Sequence, residues 1–516
     1  MSDSKGRWQA RLRQRGESAR LRVLAAFALL LALHSVPIFS TVLPPLVDYP
    51  NHLARLHLIA EGGNAFYAVR WAALPNLAAD LVVPPLTRVM PLELAGRLFL
   101  VLIFALLAGG ALWLNRIFAG RWRLWPLLAF FLVYNRLFLW GFINYLFGLG
   151  LAFCGVALWL ASERARARLR VLASALVAAL CFFSHIAAFG VYALMIAGVE
   201  ATPGFAELRA GEGRALARRV ALAGAQFVLP IAVFFAAWRP VAGGPVSYAG
   251  FARKADLLFS VFDNYSRPFD IASFALFLGL LAILFWRGGL RLAPRPAGAI
   301  GFLLAAYLAL PSQLLSGSGA DRRLPTALFL LLVASLTPCF ERRRIAVVIA
   351  GAAAALLVAR LAVIEAVWRH ADRIYAADLA AIDALPFGAR LAVGFPAGAA
   401  HAGGIPQLHV ATLAAWRREA FVPTIFAVAA QQPLRLKPGY AALAAALPPA
   451  TVWSAFVAGD AAARLRAAAT LADYDYLALA AGRPFAVRAD RCLRPLAGQP
   501  SFQIFALDHD GGCAER

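Results

Sequence analysis

Residues 47–55 read VDYPNHLAR, and Asp48, His52 and Arg55 within them fall at i, i+4 and i+7. On a helix those three side chains share one face. Pro50 is tolerated in the first turn of such a helix, where its missing N–H costs nothing, so Asp48 belongs at or near the N-cap. The carboxylate then has two readings. It can cap the helix while His52 and Arg55 face lipid headgroups. Alternatively, it is a general base or a metal ligand that takes a proton from an acceptor hydroxyl while a phosphate leaves the donor. The second reading calls for cations to steady the departing charge.

Two other segments supply cations. In SGSGADRRLP (316–325), Arg322 and Arg323 follow Asp321 and flexible glycines, and guanidinium forks match phosphate or pyrophosphate oxygens. The plainer reading is a helix-entry loop whose arginines snorkel to anionic headgroups. In YAGFARKADLLFSVFDNYSRPFD (248–270), Arg253 and Lys254 suit a lipid phosphate, and Asp263, Tyr265 and Arg267 suit a sugar pocket. An interfacial aromatic belt explains the same residues. His185, in CFFSHIAAFG, joins two apolar runs. At membrane depth such a histidine is either functional or bonded to a helix-break carbonyl, because an unpaired polar group there is costly. The YNR turn at 134–136 and Asn144 reach the same half of the bundle.

What positions these residues is a membrane. The 516-residue chain is 62% hydrophobic and only 15% charged, with a mean hydropathy of +0.70, whereas soluble domains carry about 25% charged residues. The net charge of +23 resides in short arginine clusters between apolar runs. That arrangement orients helices and needs no nucleic-acid partner. A span takes about 20 apolar residues, fewer when it is broken or enclosed by neighbours. Eleven segments qualify: 23–43, 94–114, 124–134, 137–161, 171–184, 186–201, 220–238, 271–286, 297–315, 326–340 and 345–364.

The charges give the orientation independently. Lys5 through Arg22, Arg116 to Arg123, residues 163–170, Arg209 to Arg219, Arg287 to Arg295 and ERRR at 341–344 alternate with basic-poor segments 44–93, 239–270 and 316–325. The N-terminus is therefore expected inside and the C-terminal tail outside. Residues 1–22 form a basic cytoplasmic N-terminus. The run behind them is of full spanning length and lacks a small-residue cleavage site, so it reads as a retained span. Residues 23–365 make the transmembrane unit.

Residues 366–516 change character. Turn signals such as LPFGAR and LKPGY separate short β-rich pieces, RLAVGF, DYDYLAL and FQIFALD, from Ala-rich helical stretches such as 458–472. This predicts a small α/β extracytoplasmic domain of ordinary size. Cys154, Cys181 and Cys339 lie in apolar segments, whereas Cys492 and Cys513 flank the last strand-like piece. The latter pair could form a disulfide in an oxidising compartment. His401 and His409 have the wrong spacing for one helical face and no accompanying acid or thiol cluster, which argues against zinc. WRREAFVPTIFAVAAQQPL (416–434) is a candidate acceptor-selecting segment. No Walker loop, GxGxxG or GxSxG occurs at a suitable place.

The loop 44–93 is longer than loops usually are without a function. Its later part, NLAADLVVPPLTRVMP, places Asp80 and Arg88 among apolar runs, as an interfacial helix–turn–helix would. An inside N-terminus, a first span, a long outer loop opening with Asp48 in LVDYPNHLAR, about a dozen spans and an exported tail together resemble the GT-C glycosyltransferases. Among these are the dolichyl-phosphate-mannose-protein mannosyltransferases and the lipid A aminoarabinose transferases. The resemblance implies a bacterial inner-membrane enzyme with its C-terminal domain in the periplasm. It implies a polyprenyl-phosphate-linked sugar donor, a periplasmic lipid, polysaccharide or protein acceptor, and a catalytic acid at Asp48. Several such families carry paired acids at this site, but here Tyr49 follows Asp48, so a second acid would come from Asp80. On this reading His52 and Arg55 support Asp48, Tyr49 and His185 border the substrate, and Mg²⁺ or Mn²⁺ is a candidate cofactor at Asp48.

Two other classes are weighed. A transporter would show internal repeats and mid-membrane charges, neither of which is evident. A non-catalytic membrane scaffold, with the tail as its binding module, would tolerate the loss of Asp48.

Overall fold

Apolar runs become helices here because a helix satisfies its own backbone polar groups where no water is available to do so. The computed structural model of the chain describes residues 2–237, 246–314, 317–340, 343–398, 406–488 and 490–508. Its helical body comprises α1 (Ser2–Ser40), α2 (Tyr49–Ala60), α3 (Ala78–Leu86), α4 (Leu92–Ala119), a 3₁₀ segment (Trp125–Leu132), α5 (Arg136–Trp140) and α6 (Ile143–Ala161). It continues with α7 (Ala167–Ser184), α8 (Ile186–Arg209), α9 (Gly213–Ala225), α10 (Val228–Ala237), α11 (Phe251–Phe259), α12 (Arg267–Trp286), α13 (Ala297–Ala309), α14 (Leu324–Ser335) and α15 (Arg343–Asp383).

Among the described residues, seven helices are long and apolar enough to cross a membrane, and counting each bent pair as one span raises the number to nine. One bent pair is α9 with α10, at 49°; the other, Pro438–Ala446 with Pro449–Ala458, belongs to the tail. The architecture is compatible with a multi-pass membrane protein. On α7, Leu169, Leu172 and Leu176 are 60%, 67% and 62% exposed, an apolar stripe of the kind that faces lipid.

Three of the expected spans take another form. Residues 124–134 contain the 3₁₀ segment, and 297–315 and 326–340 shorten to α13 and α14. Twelve residues of α14 rise only about 18 Å, yet nearly all of them are buried. Neighbouring elements supply the partners its ends need. The Asn115 Nδ2 donates to the carbonyls of Ala334 and Leu336, and Leu336–Pro338 pairs as a strand with Leu290–Leu292. The expected span 137–161 is also divided, by Gly141 at φ +91°, into α5 and α6.

The arginine-rich segments converge at one end of the body. There Glu200 accepts from Trp159 Nε1 at 2.8 Å and from Arg219 Nη1 at 2.5 Å, and Arg295 lies 3.2 Å away. Arg123 donates to the Pro338 carbonyl nearby. The segments poor in basic residues meet at the other end: Leu77 N–H bonds Phe183 O, Arg136 N–H bonds Ser260 O, and Tyr145 Oη donates to Arg323 O.

The tail begins on α15 itself, with no linker at 365–366. Ser40, the last residue of α1, donates to Glu365. The remaining turns of α15 pack on the tail, where Asp378 accepts from Gln407 and Gln499. A four-stranded sheet runs in the order Leu391–Gly394, Tyr476–Ala480, Phe502–Leu507, Leu493–Gln499. Its first pair is parallel and the others antiparallel. Three strands coincide with the three β-rich pieces, and Leu493–Gln499 is a fourth outside them. Asp460 accepts from the N–H groups of Ala462 and Ala463 and caps the helix Ala461–Leu471, within the Ala-rich stretch. The buried core runs continuously from the helical body through the tail.

Candidate functional site

A cleft of about 1070 Å³ lies where the low-charge end of the helical body meets the tail. Residues 45–47, α5 and the turn 263–267 form one wall; 396–398, 406–408, 453–457 and 480–485 form the other. Arg136, Arg267 and Arg483 line it, together with the carboxylate of Asp263 and the rings of Trp140, Tyr265, Trp453 and Phe485.

The break at Gly141 builds the first wall. Asn135 caps α5 by accepting from Phe138 N–H, and the left-handed Gly141 ends it one turn later. This leaves the Leu139 and Trp140 carbonyls free to accept from Val47 N–H at 3.0 Å and Asp48 N–H at 3.1 Å. The loop 44–93 is thereby laid against α5. A Cβ on Gly141 would come within 2.8 Å of the Asp48 Cβ, so the contact requires glycine.

Cations gather around Trp140. The Arg136 and Arg322 guanidinium carbons lie 5.9 and 5.0 Å from its ring centroid. Burial first, then the like charges of Arg253 and Arg136, lower the pKa of Arg322 against the opposing pull of Asp321 and Asp256. Asp263 is 3.6 Å from Arg136, and its own burial raises its pKa. Asp263, Tyr265 and Arg267, expected to line a substrate pocket, all line this cleft. The Tyr265 Oη accepts from Trp368 Nε1.

Asp48 occupies the N-cap position of α2 but its side chain makes no cap hydrogen bond, so it is not simply a cap. Its Oδ1 lies 3.3 Å from Nε2 of His409 in the tail. The flanking residues Val47 and Leu408 both line the cleft.

The rest of the predicted face disperses. His52 Nε2 donates to the Gly141 carbonyl at 3.0 Å, and burial with the nearby Arg55 charge holds its pKa well below the usual histidine range. Its role is to fasten α2 to the α5–α6 break. Arg55 and Asp80 form a fully buried two-point ion pair, Nε–Oδ1 2.8 Å and Nη2–Oδ2 3.1 Å. Asp80 is therefore not a second acid beside Asp48, nor is Arg55 open to a phosphate. Tyr49 is buried against Gly96.

Of the other expected residues, Lys254, Asp321, Arg323 and His185 find partners within the chain. Lys254 donates to the Tyr307 and Leu310 carbonyls at the end of α13, where a helix dipole favours a cation. Arg253 stays exposed. Asp321 is buried and accepts from Ser312 Oγ. Arg323 donates to Gly319 O and packs over Phe142, apart from its neighbour Arg322. His185 stands at the break between α7 and α8 and caps α8, its Nδ1 accepting from Ala187 N–H. Among the described residues, no three His, Cys, Asp or Glu side chains group to hold a metal. A divalent cation at Asp48 would meet one carboxylate, one oxygen of which already faces His409, with the expected second acid held on Arg55.

Sequence reasoning passed over Arg483 and Asn51, weighed His409 only as a zinc ligand, and named Arg136 only as part of the YNR turn. Only Arg136 left a signal: the YNR turn, followed by a glycine inside an apolar run. Cys492 is disulfide-bonded, whereas Cys154, Cys181 and Cys339 are free; Cys513 and His401 lie outside the described residues. No family model, curated protein or solved structure matches the chain.

Proposed function

We propose that the chain is an integral membrane glycosyltransferase of the GT-C type, with eleven crossings, its N-terminus in the cytoplasm and its tail in the periplasm. It transfers a sugar from a polyprenyl-phosphate donor to an acceptor on the outer face. The observation that carries the reading is the cleft, which lies at the boundary between helical body and tail and is lined by arginines, aromatic rings and the Asp263 carboxylate, with Asp48 next in the chain to the lining residue Val47. A lipid-borne donor would reach it from the helical side, and a periplasmic acceptor from the tail. The disulfide at Cys492 agrees with a tail in an oxidising compartment.

In the proposed reaction the acceptor oxygen attacks the anomeric carbon and the bond from that carbon to the phosphate oxygen breaks, with inversion. Asp48 receives the hydroxyl proton. The departing polyprenyl phosphate carries its negative charge toward Arg136 and Arg322, whose guanidinium groups are already held at Trp140.

The test compares glycan and glycolipid masses of envelopes from cells making the native chain, Asp48→Asn, or neither, in a strain that makes the carrier lipids. A sugar-sized mass present only with the native chain is expected. The same mass with Asp48→Asn would move the base elsewhere, to Asp263 first. No difference among the three would end the transferase reading.

A further inference from the structure

Asp48 and His409 are brought together from opposite ends of the chain, and the surrounding bonds define what the histidine can do. Asn51 is fully buried one turn into α2. Its Oδ1 accepts from Phe426 N–H at 2.7 Å, and its Nδ2 donates to the Thr424 carbonyl at 2.9 Å. Those two backbone partners fix which end of the amide is nitrogen. The same Nδ2 lies 3.2 Å from His409 Nδ1. Because it presents N–H, the ring nitrogen facing it must accept. The proton of the neutral imidazole therefore sits on Nε2, directed at Asp48 Oδ1, 3.3 Å away.

The ring is also braced. Phe426 stands edge-on to His409 at 5.1 Å and to His52 at 5.6 Å, and His52 is itself anchored on the Gly141 carbonyl. The Asp48 carboxylate is thus held on one side by its own backbone N–H on Trp140 O and on the other by the tail. Among the described residues, Asp48 Oδ2 has no hydrogen-bond partner. The side chain remains 22% exposed, against 11% for His409.

Resting on the transferase reading above, we infer that His409 is a positioning residue for Asp48: its Nε2–H fixes Oδ1 and leaves Oδ2 to take the proton of the acceptor hydroxyl. His409 does not itself take that proton. Its Nδ1 is occupied by an Asn51 N–H and its Nε2 already carries hydrogen, so an imidazolium would set two donors against each other at Asn51. The acceptor proton stays on Asp48 until the sugar has transferred and the product leaves. The tail then serves the chemistry directly, by supplying the donor that orients the base.

The test uses the full chain in membranes, with His409→Gln and His409→Ala, and follows sugar transfer against acceptor concentration and pH. A glutamine amide can place an N–H near the Nε2 position but cannot accept and release a proton at neutral pH. With positioning as its role, His409→Ala lowers kcat by roughly 10–100-fold with little change in acceptor KM, since a misplaced reacting group costs on that order. His409→Gln restores most of kcat and keeps the native pH profile. If His409→Gln is as inactive as His409→Ala while both resist protease like the native chain, the histidine handles the proton itself and the inference fails. Native kcat in His409→Ala also overturns it. A native chain that transfers no sugar refutes the transferase reading first, and is recognised by that arm alone.

Discussion

Replacing Gly141 with alanine separates the placement of Asp48 from its chemistry. Two costs are expected. The first is conformational: Gly141 sits at φ +91°, and a side chain in the left-handed region costs about 1–2 kcal/mol. The second is a collision. The new Cβ would lie 2.8 Å from the Asp48 Cβ and 3.1 Å from its backbone nitrogen. Carbon atoms rest at about 3.5 Å or more, so relieving the contact moves Asp48 by roughly 0.7 Å. A displacement near 1 Å can cost on the order of 100-fold in rate, so Gly141→Ala is expected to lose about 10–100-fold in transfer. Gly120→Ala is the control. It imposes a comparable strain at φ +67° but meets nothing within 4 Å. Gly141→Ala should therefore lose at least as much thermal stability as Gly120→Ala in a detergent unfolding assay, and only Gly141→Ala should lose transfer in the envelope mass assay. Equal transfer by the two variants would refute the assignment of Asp48 as the base held by this contact.

Arg55→Leu should destabilise the chain by about 3–5 kcal/mol, because it strands the Asp80 charge in a buried site, and Asp80→Leu added to it should recover most of the loss. Unfolding midpoints of the single and double variants measure this, and additive losses would show that the pair is not coupled. His52 is neutral and buried in the folded chain, with its pKa depressed. Its contribution to stability is therefore complete above the unfolded value near 6.5 and declines as pH falls below it, by up to about 1.4 kcal/mol per pH unit. Protease resistance of the loop 44–93 should weaken from pH 7.5 to pH 5 in the native chain and less so in His52→Gln; equal pH dependence would assign the effect elsewhere. Arg136→Ala and Arg322→Ala should each weaken use of the lipid-phosphate donor about tenfold or more, the scale of a lost charge-assisted hydrogen bond. Lys254→Met, by contrast, should reduce stability without changing donor KM, because Lys254 is bound to the carbonyls of α13. Unchanged donor KM in both arginine variants would remove the phosphate seat.

Apolar run length revealed the long helices, and arginine placement foretold which loops would share an end. Both signals are local, and both follow from the cost of exposed backbone or charge in hydrocarbon. The grouping of Asp263, Tyr265 and Arg267 was also legible, because five residues of one turn cannot separate far. Helical spacing correctly put Asp48, His52 and Arg55 on one side of α2, yet it could not say where each side chain would go. Each found a different long-range partner: His409, Gly141 and Asp80. His409 lies 358 residues beyond Asn51, and nothing in its local sequence distinguishes it from a surface histidine. The short buried elements escaped for a related reason. The Asn115 amide and the pairing of 290–292 with 336–338 complete α14, and hydropathy does not register such partners.

The same long-range bonds explain why the loop 44–93 and the tail are better regarded as one unit than as a loop with a neighbour. Beyond Asn51 and His409, Tyr67 Oη both donates to and accepts from the backbone of Val422. Tyr67–Val69 pairs as a strand with Leu434–Leu436, and Lys437 N–H bonds the Phe66 carbonyl. Phe66 also packs its ring against Phe421 and Tyr440. Without the tail, the loop would carry these polar groups unpaired and expose these rings, each a cost that the loop's own contacts do not offset. On the proposed mechanism, the base is thus held by a loop whose order depends on a domain more than three hundred residues away. That dependence couples the wall that would receive an acceptor to the orientation of the group that would deprotonate it.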